Sequence, residues 1–176
     1  MGADLEALAS SEKALFCDRT CSATWINRAA VRYELGDSTG ALTDLQQALS
    51  LDVNNAAAHY NRGLIYRDLQ LVRKALESFS TAITLDPTLS DAYVNRGILR
   101  FRLGDVDGSI EDFNSAIEVD PSDAGSRYNR GVASLKLGRQ SEAVFDFTTA
   151  LKCSATNWPL RGHVAKFLGI YATTVA

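Results

Sequence analysis

Histidines and cysteines, the side chains a zinc site or a nucleophilic centre would draw on, are few in this sequence. They are His59, His163, Cys17, Cys21 and Cys153. The two histidines are far apart in the chain. Cys17 and Cys21 are four residues apart, a spacing that brings two side chains to one face of a helix. A zinc site built on such a pair needs a second pair of cysteine or histidine ligands. None stands nearby, so both are read as ordinary thiols. The sequence carries no glycine-rich phosphate loop, no nucleophile elbow and no histidine pair of metal-binding type. Catalysis needs an acid, base or nucleophile positioned in a pocket. No such constellation is legible, so the sequence is read as that of a non-enzyme, with no catalytic residue, metal or cofactor assigned.

What recurs is an amide followed by a guanidinium. Asn27, Asn61, Asn95 and Asn129 precede Arg28, Arg62, Arg96 and Arg130, which precede the small residues Ala29, Gly63, Gly97 and Gly131, with a spacing of 34 residues each time. A side-chain amide offers two donors and an acceptor and can hydrogen-bond a peptide backbone. A guanidinium offers a planar fork that fits a carboxylate. Sixteen residues after the arginines stand Asp44, Ser78, Asp112 and Asp146. An ion pair inside the repeating unit is therefore expected in three of the four units. The net charge of −3 supports that reading over a basic binding stripe.

The elements that position these groups follow from the period. A fixed 34-residue repeat is the length of a helix-turn-helix unit that stacks on its neighbours. Units fall at 22–55, 56–89, 90–123 and 124–157. In each, a small residue (Ala41, Ala75, Ser109, Ala143) is followed four places on by a large one (Leu45, Phe79, Phe113, Phe147). Three places further comes an alanine (Ala48, Ala82, Ala116, Ala150). Steps of four and three keep all three on one helix face. Gly36, Gly104 and Gly138 mark the turn between the two helices, and Asp86-Pro87 and Asp120-Pro121 mark the exit from the second. Residues 4–17 carry Ala7, Ala14 and Leu15 at the register of a second helix, with Leu5, Leu8 and Leu15 as an apolar stripe. Asn157-Trp158-Pro159 reads as a helix start, followed by Leu160, Val164, Leu168 and Tyr171 at helical spacing. The expected organisation is one domain, 1–176: a half-repeat helix in 1–21, four repeats, and a capping helix in 158–176.

This pattern resembles the tetratricopeptide repeat, whose signature runs Trp-x2-Leu-Gly-x2-Tyr, then Ala-x3-Phe, then Pro. Trp25, His59 and Tyr93 stand at the first place and Tyr66 at the tyrosine. Arginine replaces the leucine in all four units, Arg127 replaces the first aromatic, and Val53 and Ala155 replace the closing proline. The resemblance implies an all-α fold, a right-handed superhelical solenoid of antiparallel helix pairs whose first helices line a concave surface. On that surface it places Asn27, Asn61, Asn95 and Asn129 in a row, similar to the asparagine ladder in the repeat region of the O-linked N-acetylglucosamine transferase. Two readings stay open: the amides bind a partner backbone, or they bond within the array. Beside them lie Ile26, Tyr60, Val94 and Tyr128, then Ala30, Leu64, Ile98 and Val132, then Tyr33, Phe101 and Leu135. Tyr60 and Tyr128 are candidate anchors, because they offer large area at small entropy cost. Along the outer edge, Glu34 and Asp68 give way to Arg102 and Lys136, a change of sign that would orient a bound segment.

The implied function is a protein-interaction scaffold that holds a partner peptide or helix in the concave groove. The alternative is an architectural subunit that contacts neighbours through its convex face or ends. Family members that capture the C-terminal tails of heat-shock chaperones use a lysine, asparagine and arginine clamp. Here its first-helix places hold Ile26 and Ala30, or Tyr60 and Leu64, and its third-helix places hold Asp91 and Asn95, or Gly125 and Asn129. That argues against chaperone C-terminal tails as ligands.

Composition excludes other classes. The chain is 46% hydrophobic and 22% charged, as in an ordinary folded domain. Its weak acidity argues against a nucleic-acid partner, which needs a basic face. No apolar run reaches the roughly 18 residues of a membrane span. Three cysteines with no disulfide framework and no signal-type N-terminus point to a reducing, cytoplasmic setting.

Overall fold

The computed structural model describes residues 2–17, 20–155 and 157–175, with side chains for 6–16, 20–155 and 157–169. Among the described residues the fold is all-α. A leading helix α1 (Gly2–Cys17) is followed by four helix pairs: α2 (Ser22–Glu34) with α3 (Ser38–Leu51), α4 (Ala56–Asp68) with α5 (Val72–Leu85), α6 (Ser90–Arg102) with α7 (Val106–Val119), and α8 (Ala124–Lys136) with α9 (Gln140–Cys153). Helix α10 (Arg161–Val175) closes the order. First helices begin at Ser22, Ala56, Ser90 and Ala124, so the 34-residue period of the sequence is the period of the structure. The helices group into two compact units, Met1–Pro87 and Thr88–Ala176, each with two pairs.

The turn inside each pair is set by one residue. Gly36, Gly104 and Gly138 take φ of 85°, 87° and 75°, the left-handed region where a side chain is strained. The second pair makes the same turn with Gln70 at φ 59°. Second helices end where Asp52, Asp86 and Asp120 become extended, each still donating its N–H to the carbonyl of Ala48, Ala82 or Ala116 at 2.8–2.9 Å. At the second and third of these ends, Pro87 and Pro121 then forbid continuation. Asp37, Asn55, Asp105 and Asp123 cap helix N-termini by accepting backbone N–H groups.

The core lies between the helices of each pair. Ala41, Ala48, Ala75, Ala82, Ala116, Ala143, Ala150 and Ser109 are fully buried, and Leu45, Phe79, Phe113 and Phe147 fill the spaces beside them. Each such large side chain contributes about 1.5–3 kcal/mol by leaving water. The first helix supplies the facing hole. A Cβ on Gly63, Gly97 or Gly131 would stand 2.6, 2.8 or 2.7 Å from the ring of Phe79, Phe113 or Phe147. Where the large residue is Leu45, the facing place holds Ala29.

The expected ion pairs are present. Arg28 donates to both oxygens of Asp44 at 2.8 and 2.6 Å, and Arg130 to both oxygens of Asp146 at 2.8 and 2.6 Å. Arg96 reaches Asp112 at 2.6–3.2 Å. Three further contacts were not anticipated. Arg32 and Arg100 add a second guanidinium to Asp44 and Asp112 at 3.0 and 3.1 Å, and Arg130 also donates to Asn114 of the preceding pair at 2.7 Å. These carboxylates are buried, so each depends on its guanidinium. The hydrogen bond to Asp44 or Asp146 in turn raises the pKa of Arg28 or Arg130, against the opposing pull of burial.

The ends depart from expectation in three ways. Cys17 closes α1 and Cys21 caps α2, so the two residues do not stand on one helix. Helix α10 starts at Arg161, not Asn157. Trp158 to Arg161 form a turn closed by the Arg161 N–H on the Trp158 carbonyl at 3.0 Å, while the Arg161 side chain donates to the Leu151 carbonyl at 2.9 Å. That arrangement spends the first turn on tying α9 to α10. On α1, Leu15 is buried and Leu8 half-buried, but Ala7 and Ala14 are exposed although they stand at the register of buried alanines. Leu5 and Tyr171, read as apolar stripe positions, lie outside the described side chains.

Candidate functional site

The candidate site is the outward face of the first helices, taken in each compact unit separately. In the first unit, α2 and α4 lie side by side and enclose a cleft of about 210 Å3 lined by Ala30, Tyr33, Glu34, Asn61 and Leu64, with Ile65 and Leu45 at its floor. Helical spacing makes this arrangement: residues 61, 64 and 65 of α4 and 30, 33 and 34 of α2 fall on facing stripes. Asn61 is half-buried at its edge and Asn27 is exposed. Neither amide has a side-chain partner among the described residues. Tyr60 is half-buried and leans on Phe79, ring centroids 5.9 Å apart.

Two charged groups border the cleft. Glu34 is exposed. Asp68 accepts from Arg67 at 2.8 Å and from the Tyr33 hydroxyl, which crosses from α2 to α4. The Arg67 hydrogen bond, followed by that from Tyr33, holds the Asp68 carboxyl below its ordinary value. Burial, then the bond to Asp68, holds the Tyr33 phenol above its own. Asp68 is exposed at this edge and at the same time ties α2 to α4 through Tyr33. The spacing of 35 residues between Tyr33 and Asp68 gives no local sign of the contact.

In the second unit, α6 and α8 present Ile98, Asn129 and Val132, all half-buried. Asn95 donates its amide to the Asp91 carbonyl one turn back at 2.8 Å, so this member of the series is engaged within its own helix. Asn129 has no such partner among the described residues. Tyr128 is half-buried, with Phe147 at 5.7 Å and Trp158 edge-on at 6.0 Å. Phe101 and Ile98 pack onto the Val106–Phe113–Ala133 core, and Leu135 and Val132 onto that of Ala143, Phe147 and Val164. The apolar strip is therefore partly spent on packing and partly open. Arg102 and Lys136 are exposed and carry no ion pair among the described residues.

The other reactive groups have structural duties or none. His59 is buried. An arginine can only donate, so its Nδ1 accepts from Arg62 at 3.1 Å, and Nε2–H then donates to the Val53 carbonyl at 2.9 Å. His163, Cys21 and Cys153 are exposed. Among the described residues no three His, Cys, Asp or Glu side chains converge as a metal site, and no helix is long and apolar enough to cross a membrane.

Antiparallel helix pairs at a 34-residue period, tied by small-residue contacts, define a helical-repeat scaffold. Sequence profiles of the TPR repeat match residues 29–70 and 99–138, and the tetratricopeptide-repeat profile matches 56–89. The chain belongs to the tetratricopeptide-repeat family. No curated protein matches it by sequence. Among solved structures, MamA is 25% identical with a TM-score of 0.77, over 86% of this chain and 89% of that one. YrrB, described as a TPR protein with an unusual peptide-binding site, is 22% identical with a TM-score of 0.73, over 94% and 84%. PilF of Pseudomonas aeruginosa is 18% identical with a TM-score of 0.82, over 89% and 71%. The last two likenesses speak to the fold alone.

Proposed function

We propose that this protein is an interaction scaffold that holds a segment of a partner protein against the first-helix face. The observation that carries the reading is the cleft between α2 and α4. Its walls are apolar (Ala30, Tyr33, Leu64) and an unpartnered amide, Asn61, stands at its edge. An apolar side chain of the partner enters the cleft and its backbone bonds the amide. The same elements, Ile98, Val132 and Asn129, recur on the α6–α8 face. The peptide-binding site ascribed to YrrB, a protein of like fold, is in keeping with this reading.

The test is selection of peptides from a displayed library, followed by titration of one selected peptide. Leu64→Asp should abolish binding, because it places a charge in the apolar cleft. Asn61→Ala should weaken it by about 0.5–1.5 kcal/mol, the net value of a neutral hydrogen bond. Tyr128→Ala should weaken a peptide that spans the second unit. Unchanged affinity in all three variants overturns the reading. The architectural alternative would then take its place, and the structure offers it one observation: α1 leaves Ala7 and Ala14 open at a contact register, with Phe16 85% exposed on the other side of the same helix.

A further inference from the structure

Around the arginine that follows each asparagine, five register places form one electrostatic cluster. In the first pair they are Arg28, Arg32, Asp37, Gly40 and Asp44; in the third, Arg96, Arg100, Asp105, Gly108 and Asp112; in the fourth, Arg130, Ser134, Arg139, Glu142 and Asp146. Each of these clusters contains two cations and two carboxylates. Contacts within them are close: Arg32 to Asp37 at 3.9 Å, Arg100 to Asp105 at 3.7 Å, Ser134 to Glu142 at 3.4 Å, beside the bidentate pairs already described. The second pair breaks the rule. Its five places hold Arg62, Tyr66, Leu71, Lys74 and Ser78, two cations with no carboxylate.

Arg62 therefore keeps the position of its counterparts without their counter-ion. Its Nε donates to the Ser78 hydroxyl at 3.3 Å and its Nη2 to His59 Nδ1 at 3.1 Å, both neutral acceptors, and no ion pair reaches it among the described residues. Lys74 stands with its ammonium 5.5 Å from the centre of the Tyr66 ring. Arg62 and Tyr66 line an open cleft of about 410 Å3 between α3 and α4, whose opposite wall is Thr39, Leu42, Thr43 and Gln46. That wall carries two hydroxyls, an amide and one leucine, and no charge. A guanidinium held by neutral partners, half out of water, with hydroxyls and an amide around it, lacks only an anion.

We infer that this cleft is a second recognition site, which takes an acidic side chain of a partner protein. The carboxylate stands in for the aspartate that the other three pairs supply internally at the place of Ser78. Arg62 offers a fork already oriented by Ser78 and His59, Lys74 adds positive charge beside Tyr66, and Thr39 and Gln46 donate to the remaining oxygen lone pairs, the Thr43 hydroxyl being engaged with the Thr39 carbonyl. The site is independent of the first-helix face, because Arg62 turns from Asn61 toward α3 and α5. A protein of net charge −3 repels acidic peptides elsewhere, so their binding here is local.

The experiment titrates the intact protein at low salt with hexaglutamate, following the Arg62 side-chain Nε–H signal and the heat of binding. Arg62→Gln and Ser78→Asp should each weaken binding by about tenfold, the second by supplying the missing carboxylate from within. Arg73→Gln, the same loss of charge at an exposed arginine of α5, should change it less than about twofold, as expected of a screened surface charge. Ser78→Asp also guards against misfolding, since it recreates the arrangement of the other pairs. Equal binding by wild type and Ser78→Asp overturns the inference. So does a wild-type protein that binds inorganic phosphate at Arg62 but not hexaglutamate.

Discussion

Gly97 and Phe113 are complementary: a Cβ at residue 97 would lie 2.8 Å from Cε1 of the buried Phe113 ring. The first pair solves the same contact with Ala29 against Leu45. Gly97→Ala should therefore overpack and cost about 1–3 kcal/mol, more than the alanine gains in helix propensity. Phe113→Leu leaves a space. The double variant Gly97→Ala/Phe113→Leu should recover stability relative to the sum of the single changes. Chemical denaturation of the four proteins checks this, and additive losses would refute the contact.

Arg130 and Arg62 occupy one register place but differ in what they leave behind. Arg130→Leu strands the buried Asp146 and should cost about 3–5 kcal/mol. Arg62→Leu strands only a hydroxyl and a ring nitrogen and should cost roughly 1 kcal/mol or less, the scale of neutral hydrogen bonds. The two thermal midpoints, measured side by side, give the comparison. Similar losses would mean that the carboxylate is not the reason.

Gln70 makes its turn at φ 59°, where its three counterparts are glycine. An L side chain is strained there, while glycine loses more freedom on folding. Gln70→Gly should stabilise by about 0.5–1 kcal/mol net. Conversely, Gly104→Gln should destabilise. A fall in melting temperature for Gln70→Gly would contradict this.

Arg127 stands where the other pairs place an aromatic. Arg28 lies over Trp25 at 4.9 Å and Arg96 over Tyr93 at 5.8 Å, whereas the Arg127 Nε is buried without a hydrogen-bond partner. Arg127→Tyr should remove the orphan donor and give Arg130 a ring to cover. The expected gain is about 1 kcal/mol in denaturant unfolding.

The Asp68 carboxyl is held low by Arg67 and Tyr33, so its bonds favour the folded state when it is ionised. A carboxyl with a depressed folded-state value contributes above its unfolded value and loses that contribution as pH falls through the folded value. Asp68→Asn should thus be less stable than wild type at neutral pH. The difference should close on acidification below the ordinary carboxylate range. Melting curves across that interval provide the measurement, and a difference independent of pH would exclude the charge.

The 34-residue period, the small and large residues that alternate at helical steps, and the Arg–Asp pairs were legible in the sequence. All three depend only on which residues share a helix face, and a repeat returns the same face at each turn of the array. The asparagines were legible as a series, but their condition was not. Asn95 bonds back to Asp91 while Asn61 and Asn129 stay open, and nothing in the shared Asn-Arg-Gly context separates them. Tertiary structure also decided the Tyr33–Asp68 bridge, whose partners meet only because α2 and α4 lie side by side. The start of α10 moved to Arg161 because the turn before it ties back to α9. Gln70 turns left-handed because the helices on either side impose the turn whatever residue stands there. Spacing along the chain determines the face a side chain occupies. The partner it takes is set by distance through space, which only packing fixes.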